Sequence, residues 1–472
     1  MEWNPDALRA QFCHALSEMY KTEVPLYGNL TDIVWEADAQ AVRANQEAGE
    51  DILNPDDVLP SRNRVERHGA IRLGTAHELA TIRRMFAIMG MFPVGYYDLS
   101  IAGFPMHATA FRPKDLDALA RHPFRVFTTL LRMDLLTDKT RKLAQAALKQ
   151  RNIFTDRLIE LIERAEKQGR LTSSESAEFI TEGLETFRWH SKATTTLEEY
   201  KLLKAEHPLI ADIVSFGNCH INHLTPRTID IDLVQKLMLE HGMPAKERIE
   251  GPPRRVHPIL LRQTSFKALE ETVYFRDASG VFIKGSHTAR FGEVEQRGYA
   301  LTPKGRELYD GILAQVNTEA AKKQASSAEY EEILGNRFRD FPDDLSQMHS
   351  QRLAYFCYRL TQNGENLAKA QSSSGTTASL SQLLQRGILE YEPITYEDFL
   401  PLSAGGIFNS NLSSSTSQSK QLIANAGPDI DSFQRSLGTQ ITNEFQLYER
   451  MEQATLEDCR KRLGIETVLD VN

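Results

Sequence analysis

The chain is short of cysteine, of excess positive charge and of long apolar runs, and each shortage removes a class of protein. Its four cysteines, Cys13, Cys219, Cys357 and Cys459, are scattered over 472 residues with no Cys-x-x-Cys spacing. That spacing argues against a disulfide framework and against a thiolate zinc site. No apolar stretch approaches the roughly 18–20 residues a membrane-spanning helix needs. The formal net charge is −9, so the basic surface selected by nucleic acid and by anionic membranes is missing. The opening Met-Glu-Trp-Asn-Pro has neither the basic nor the apolar region of a secretion signal, and a reducing cytoplasm is the expected compartment.

What is present is the balance of a water-soluble globular protein, with 41% hydrophobic and 25% charged residues. A chain of this length is expected to fold as two or three packed units. Leu8, Phe12, Leu16 and Tyr20 recur four apart and predict an N-terminal helix within a segment 1–60 that ends in a Pro-Asp-Asp turn signal. Residues 61–136 then read as β-α-β-β-β: strand Val65 to Leu73, helix Ala76 to Met89, and strands at Gly95, Met106 and Phe124. Residues 137–210 read as almost wholly helical. A second β-α-β-β-β set occupies 211–305, with a strand at Asn222 to Ile231, a helix at Leu233 to His241, and strands at Ile259, Thr272 and Ala289 to Arg297. Residues 306–472 read as a polar helical region with two Ser-rich surface stretches and, between them, a dense segment from Tyr396 to Phe408. The fold class expected is α+β.

The two sets share more than element order. Each first strand carries His-x-x-x-Arg, as His68-Gly-Ala-Ile-Arg72 and His223-Leu-Thr-Pro-Arg227. Each helix ends in Gly-Met with Pro close behind, as Gly90-Met91-Phe92-Pro93 and Gly242-Met243-Pro244. The coincidence predicts a duplicated module. On a strand, residues i and i+4 share a face, so each histidine points with its arginine. Glu293, Glu295 and Arg297 share a face in the same way. Two imidazoles and one carboxylate on one side of an ion, with open positions opposite, are the donor set of non-haem iron(II). An arginine four residues from a ligand histidine can dock a substrate carboxylate through its fork.

Each of these residues has a plainer reading. A lone strand histidine is ordinarily a satisfied core or surface residue, and paired glutamates are ordinarily a solvated face. His220 and His223 have a helical zinc-pair spacing, but on a strand they diverge and no third ligand stands near them in the sequence. His107 could contact a site or simply pack. The Leu301-Thr-Pro-Lys-Gly-Arg run resembles the helix entry of winged-helix regulators, a reading the acidic balance and the lack of a basic recognition helix oppose. On its own terms the run predicts a helix start with Thr302 as cap and Pro303 at the first position.

Duplicated βαβββ modules with ligands on their strands resemble the vicinal-oxygen-chelate architecture of glyoxalases, extradiol dioxygenases and 4-hydroxyphenylpyruvate dioxygenase. A narrower likeness lies in Arg67-His-Gly-Ala-Ile-Arg, Gly95-Tyr-Tyr-Asp-Leu-Ser, Asn222-His-Leu-Thr-Pro-Arg, Arg290-Phe-Gly-Glu-Val-Glu-Gln-Arg-Gly and Ser403-Ala-Gly-Gly-Ile-Phe. Together these runs resemble the 2-oxoadipate dioxygenase/decarboxylase family, from the N-terminal helix to beyond Phe408. The resemblance implies two modules forming a cupped sheet around one site, with the C-terminal helical region covering it. It implies conversion of 2-oxoadipate and O2 to 2-hydroxyglutarate and CO2 in lysine breakdown, with Fe(2+) as cofactor. It also implies His68, His223 and Glu293 as metal ligands, Arg72 as the catalytic and substrate-carboxylate arginine, and Leu402 as a main-chain substrate contact. The spacing from Glu293 to Gln296-Arg297 matches the metal-binding strand of 4-hydroxyphenylpyruvate dioxygenase, and so favours Glu293 over Glu295. Another reaction on the same scaffold, lyase or extradiol, is the alternative.

Overall fold

The computed structural model describes residues 3–44, 59, 61–277, 279–370, 378–400 and 427–465. Leu402, the whole Ser403–Phe408 run, the Pro-Asp-Asp turn signal and both Ser-rich stretches lie outside the described residues. The fold is α+β, and the chain divides into two compact units, one drawn from 1–250, 262–296 and 398–442, the other from 251–261, 297–397 and 443–472.

In the first unit, helix Pro5–Glu23 starts where the Asn4 side chain accepts from the amides of Asp6 and Ala7, and it buries Leu8, Phe12, Leu16 and Tyr20, the face predicted by periodicity. The main sheet follows: β1 (Arg67–Leu73), β2 (Phe92–Asp98), β3 (Met106–Arg112) and β4 (Arg125–Leu131). After them come β5 (Lys192–Thr196) and β6 (His223–Pro226). The sheet order is β2-β3-β4-β1-β6. β1 runs parallel to β4 and antiparallel to β6, placing His68 opposite Thr225 and Ala70 opposite His223.

The remaining strands are β7 (Leu261–Ser265), β8 (Glu270–Arg276), β9 (Phe282–Thr288) and β10 (Glu293–Arg297). β10 pairs with β7. Glu295 bridges Arg227 in parallel, and Gln263 bridges Glu250 antiparallel. The chain after β6 shares one feature with β1 to β4, a parallel bridge from the first segment of the set to its last strand, while β8 and β9 pair apart from it. The helices between agree in detail. Helix Ala76–Ile88 closes with Gly90 at φ 67° and a bond from Met91 N to Phe86 O; helix Ile231–Glu240 closes with Gly242 at φ 71° and a bond from Met243 N to Met238 O. This left-handed closure is one that glycine reaches at no steric cost. It gives the paired Gly-Met motifs a structural meaning.

Four expectations need correction. The strand read from Asn222 to Ile231 ends at Pro226, which has no amide to give a ladder. The strand read from Ala289 begins only at Glu293; before it, Phe291 N gives its bond to Asn222 O and Arg290 O takes Leu269 N, outside the pairing with β7. β5 interrupts the region read as helical, and with β8 and β9 it forms a separate sheet of order β5-β8-β9. The C-terminal region contains the antiparallel pair β11 (Phe356–Leu360) and β12 (Leu389–Pro393). In that second unit, Thr302 and Pro303 do open a helix, Pro303–Lys323. Buried Glu452 accepts from the Phe356 amide and from Arg352.

The segment that re-enters the first unit at Asp398 is held by charge. Arg112 grips the Asp398 carboxylate at 2.7 and 2.8 Å, with both side chains fully buried. Removing one partner of a buried pair leaves an uncompensated charge. Asp398→Ala is therefore expected to lower stability by about 3–5 kcal/mol in urea unfolding; a loss below about 1 kcal/mol, the scale of a surface ion pair, would show that the pair does not hold this segment.

Candidate metal centre

The register of β1 against β6 decides which side chains meet. His68 and Ala70 face Thr225 and His223 on one side of the sheet, so the two imidazoles stand diagonally, edge to face, with centroids 5.6 Å apart. The parallel bridge of Arg227 to Glu295 brings β10 alongside β6 and carries Glu293 to the same place. One ligand atom each from His68, His223 and Glu293 lie within 4.8 Å of one another, and all three residues are buried.

Glu293 is the hub. Its Oε2 lies 2.9 Å from His68 Nε2 and 3.8 Å from His223 Nε2. The Thr225 hydroxyl donates to Oε2 at 2.9 Å, and Gln263 Nε2 donates to Oε1 at 2.9 Å. Glu295 takes the other side of the same imidazole, with Oε2 3.0 Å from His68 Nδ1. Behind Glu295 stands Arg125, whose guanidinium is 3.7 Å from it and 2.6 Å from Glu66, which Arg227 also holds at 2.9 Å. Phe399 packs edge-on to His68 at 4.8 Å, and Phe291 stacks on His223 at 4.8 Å.

The electrostatics suit a cation. Burial alone would raise the Glu293 carboxyl, but His223 and His68 outweigh it and keep it below the usual carboxylate range. Burial pushes the His223 imidazole down to about 3, so it is neutral, the form a metal needs. Burial opposes charge on His68 as well, yet Glu295 and Glu293 on its two nitrogens raise it. His223 Nδ1 is buried and has no hydrogen-bond partner among the described residues. Two buried imidazoles and an ionised carboxylate, with one ligand atom each within 4.8 Å of the others, fit a small divalent ion. Glu295 on His68 fits the carboxylate that orients a ligand histidine from behind.

Arg72, two turns of the pleat beyond His68, is buried, and its Nη1 donates to Asp212 Oδ2 at 2.5 Å. His220 does not join His223: it lies with Asp212 and His287 in a second buried group, so the third ligand-type residue missing from its sequence neighbourhood comes from elsewhere in the chain. His107 is packed between Tyr96 and Phe433. Sequence reading missed Thr225, Gln263 and Phe399. Thr225 stands two residues from His223, and strand period alone could have found it; Gln263 and Phe399 reach the site only through tertiary pairing.

Fold and site together define an α+β protein with a buried two-histidine, one-carboxylate centre. The family model described as 2-oxoadipate dioxygenase/decarboxylase matches residues 12–411. A protein of that name from Pseudomonas putida is 49% identical over 465 residues, covering 98% of each chain. Another, from Escherichia coli strain K12, is 50% identical over 455 residues, covering 96% of this chain and 98% of its own. The crystal structure of the Pseudomonas putida hydroxyglutarate synthase in complex with 2-oxoadipate matches 98% of this chain and all of its own, with TM-score 0.84 and 46% identity. The chain belongs to the 2-oxoadipate dioxygenase/decarboxylase family.

The geometry separates the two neighbouring glutamates. Glu293→Gln removes an anionic donor and should abolish tight metal binding. Glu295→Gln leaves the three donors and should weaken binding by about 10–100-fold, the usual cost of losing an outer partner. Titration of metal-stripped protein with iron(II) under anaerobic conditions checks the order; the reverse order would make Glu295 the ligand.

Proposed function

We propose that this protein is an iron(II)-dependent enzyme that converts 2-oxoadipate and O2 to 2-hydroxyglutarate and CO2. The observation that carries the reading is the buried set of His68, His223 and Glu293 in a chain that belongs to this family. The sum balances without a further reductant, since the six carbons and seven oxygens supplied leave as a five-carbon hydroxy diacid and CO2. Bound iron supplies the redox chemistry that lets O2 react with a 2-oxo acid.

The protein's own groups do the arranging. His68, His223 and Glu293 would hold the iron, leaving room for a 2-oxo acid to bind beside it. Gln263 and Thr225 hold both oxygens of Glu293, and Glu295 sets the tautomer of His68. Phe399 and Phe291 wall the imidazoles against water. Arg72, on the same face of β1 as His68, receives a substrate carboxylate, and Leu402 offers main chain to it. No side chain is needed as general base. We read residues 61–136 and 211–305 as two related modules cupped around this site, with 1–60, 137–210 and 306–472 added to them; the matching helix closures at Gly90 and Gly242 support that division. The reading places the enzyme in the cytoplasm.

Loaded anaerobically and then exposed to O2, the protein should take up one O2 and release one CO2 per 2-oxoadipate consumed. Arg72→Ala should keep its iron and weaken 2-oxoadipate binding by at least about thirtyfold, since a charge-assisted contact at a buried site is worth about 2–5 kcal/mol; Arg72→Lys should recover only part, because it restores charge without the fork. Oxygen uptake indifferent to 2-oxo acids would refute the activity, and equal efficiency in all three proteins would remove Arg72 from the substrate site.

A further inference from the structure

Helix Pro208–Ser215 is an eight-residue helix with every residue buried, and Asp212 is its only charged side chain. A buried carboxylate costs several kcal/mol unless it is paired and fully hydrogen-bonded. Asp212 is both. Its Oδ2 takes Arg72 Nη1 at 2.5 Å, and its Oδ1 lies 2.8 Å from His287 Nε2 and 3.2 Å from His220 Nε2. His287 is fixed in turn, with Nδ1 2.9 Å from the Tyr200 hydroxyl. Trp189 meets His220 edge-on at 4.7 Å, and Phe216 lies 4.7 Å from His287. Burial alone would raise the Asp212 carboxyl; Arg72, His220 and His287 outweigh it and hold it well below the usual range.

Asp212, His220 and His287 also have one ligand atom each within 4.8 Å of one another, so a second metal is the rival explanation. Charge decides against it. The centre at His68 sets two carboxylates, Glu293 and Glu295, around one imidazole. The group at Asp212 has one carboxylate, and a guanidinium already sits on it. His220 adds no charge, since burial pushes its imidazole down. A divalent ion there would lie beside a buried cation with one anion for both.

We infer that Asp212 is a positioning residue for Arg72: it fixes the guanidinium that receives the substrate carboxylate, and His287, His220 and Tyr200 fix Asp212. The inference rests on the substrate-docking reading of Arg72 given above. Its chemistry is that of preorganisation. A guanidinium held by a locked carboxylate keeps one orientation, and misplacement of a docking group by 1 Å is enough to cost about a hundredfold in rate.

A double-mutant cycle tests it, with 2-oxoadipate affinity read by anaerobic calorimetry on iron-loaded protein, KM and kcat by oxygen uptake, and metal content by elemental analysis. Asp212→Asn should weaken 2-oxoadipate binding by about tenfold, with KM rising more than kcat falls and the iron retained. In the Arg72→Ala background the same change should cost less than about twofold, because its target is gone. A purely structural role gives additive losses and overturns the inference. So does wild-type affinity in Asp212→Asn while Arg72→Ala binds weakly, a result that leaves the docking reading intact. Unchanged affinity in Arg72→Ala defeats the docking reading, and the inference with it. Loss of a second metal equivalent in Asp212→Asn makes the group a metal site. If Asp212→Asn does not fold, Tyr200→Phe, which removes a single hydroxyl, is read through the same cycle; it should weaken binding by about two- to fivefold in the wild-type background and have no effect with Arg72→Ala. Equal effects in both backgrounds overturn the inference.

Discussion

Glu293 has no exposed surface, and a carboxylate removed from water must recover several kcal/mol of lost hydration from fixed partners. Much of the first unit can be understood as the supply of those partners. His68 comes from β1, His223 and Thr225 from β6, and Gln263 from β7. Three strands distant in sequence must therefore bring groups within 4 Å of one side chain on a fourth. The sheet order that sets β6 beside β1, with β10 bridged to β6, is the arrangement that meets this demand.

The same accounting extends outward in layers. His68 is raised by carboxylates on both of its nitrogens, so Glu295 needs a cation of its own, and Arg125 stands 3.7 Å away. Arg125 is fully buried and binds Glu66, which also takes Arg227. Charges alternate from the centre to the edge of the unit, and none of the pairs is dispensable once its neighbour is buried. This is a rigid support: moving any one member exposes an unpaired charge in a medium of low dielectric. Rigidity of that kind is what a three-ligand site needs if its open positions are to keep one geometry while substrate enters.

Strand period and repetition made part of this legible. His68 and Arg72, four apart, share a face of β1, and His223 with Arg227 opens the second set; the Gly-Met closures at Gly90 and Gly242 marked both helices. The period could not separate Glu293 from Glu295, because i and i+2 share a face, and both indeed converge on His68, one on each ring nitrogen. The sheet β5-β8-β9 stayed hidden because β5 and β8 are some eighty residues apart and β9 carries a glycine and polar side chains that dilute the pattern. The group of Asp212, His220 and His287 had no spacing at all. Its members come from a buried helix, a connecting segment and β9, and only tertiary folding sets them 2.8–3.2 Å apart.

β1 joins the two groups. Four residues of one strand separate His68, tied to Glu293, from Arg72, tied to Asp212. A strand paired on both sides, with β4 along its whole length and β6 at its start, transmits little play between those positions. The backbone offset between the two positions is then fixed, about 13 Å along a strand that rises roughly 3.3 Å per residue, and the lean of each side chain sets how near His68 and Arg72 come to each other. In the proposed reading, a substrate bound between the metal and Arg72 would meet two groups whose backbone positions that strand holds fixed.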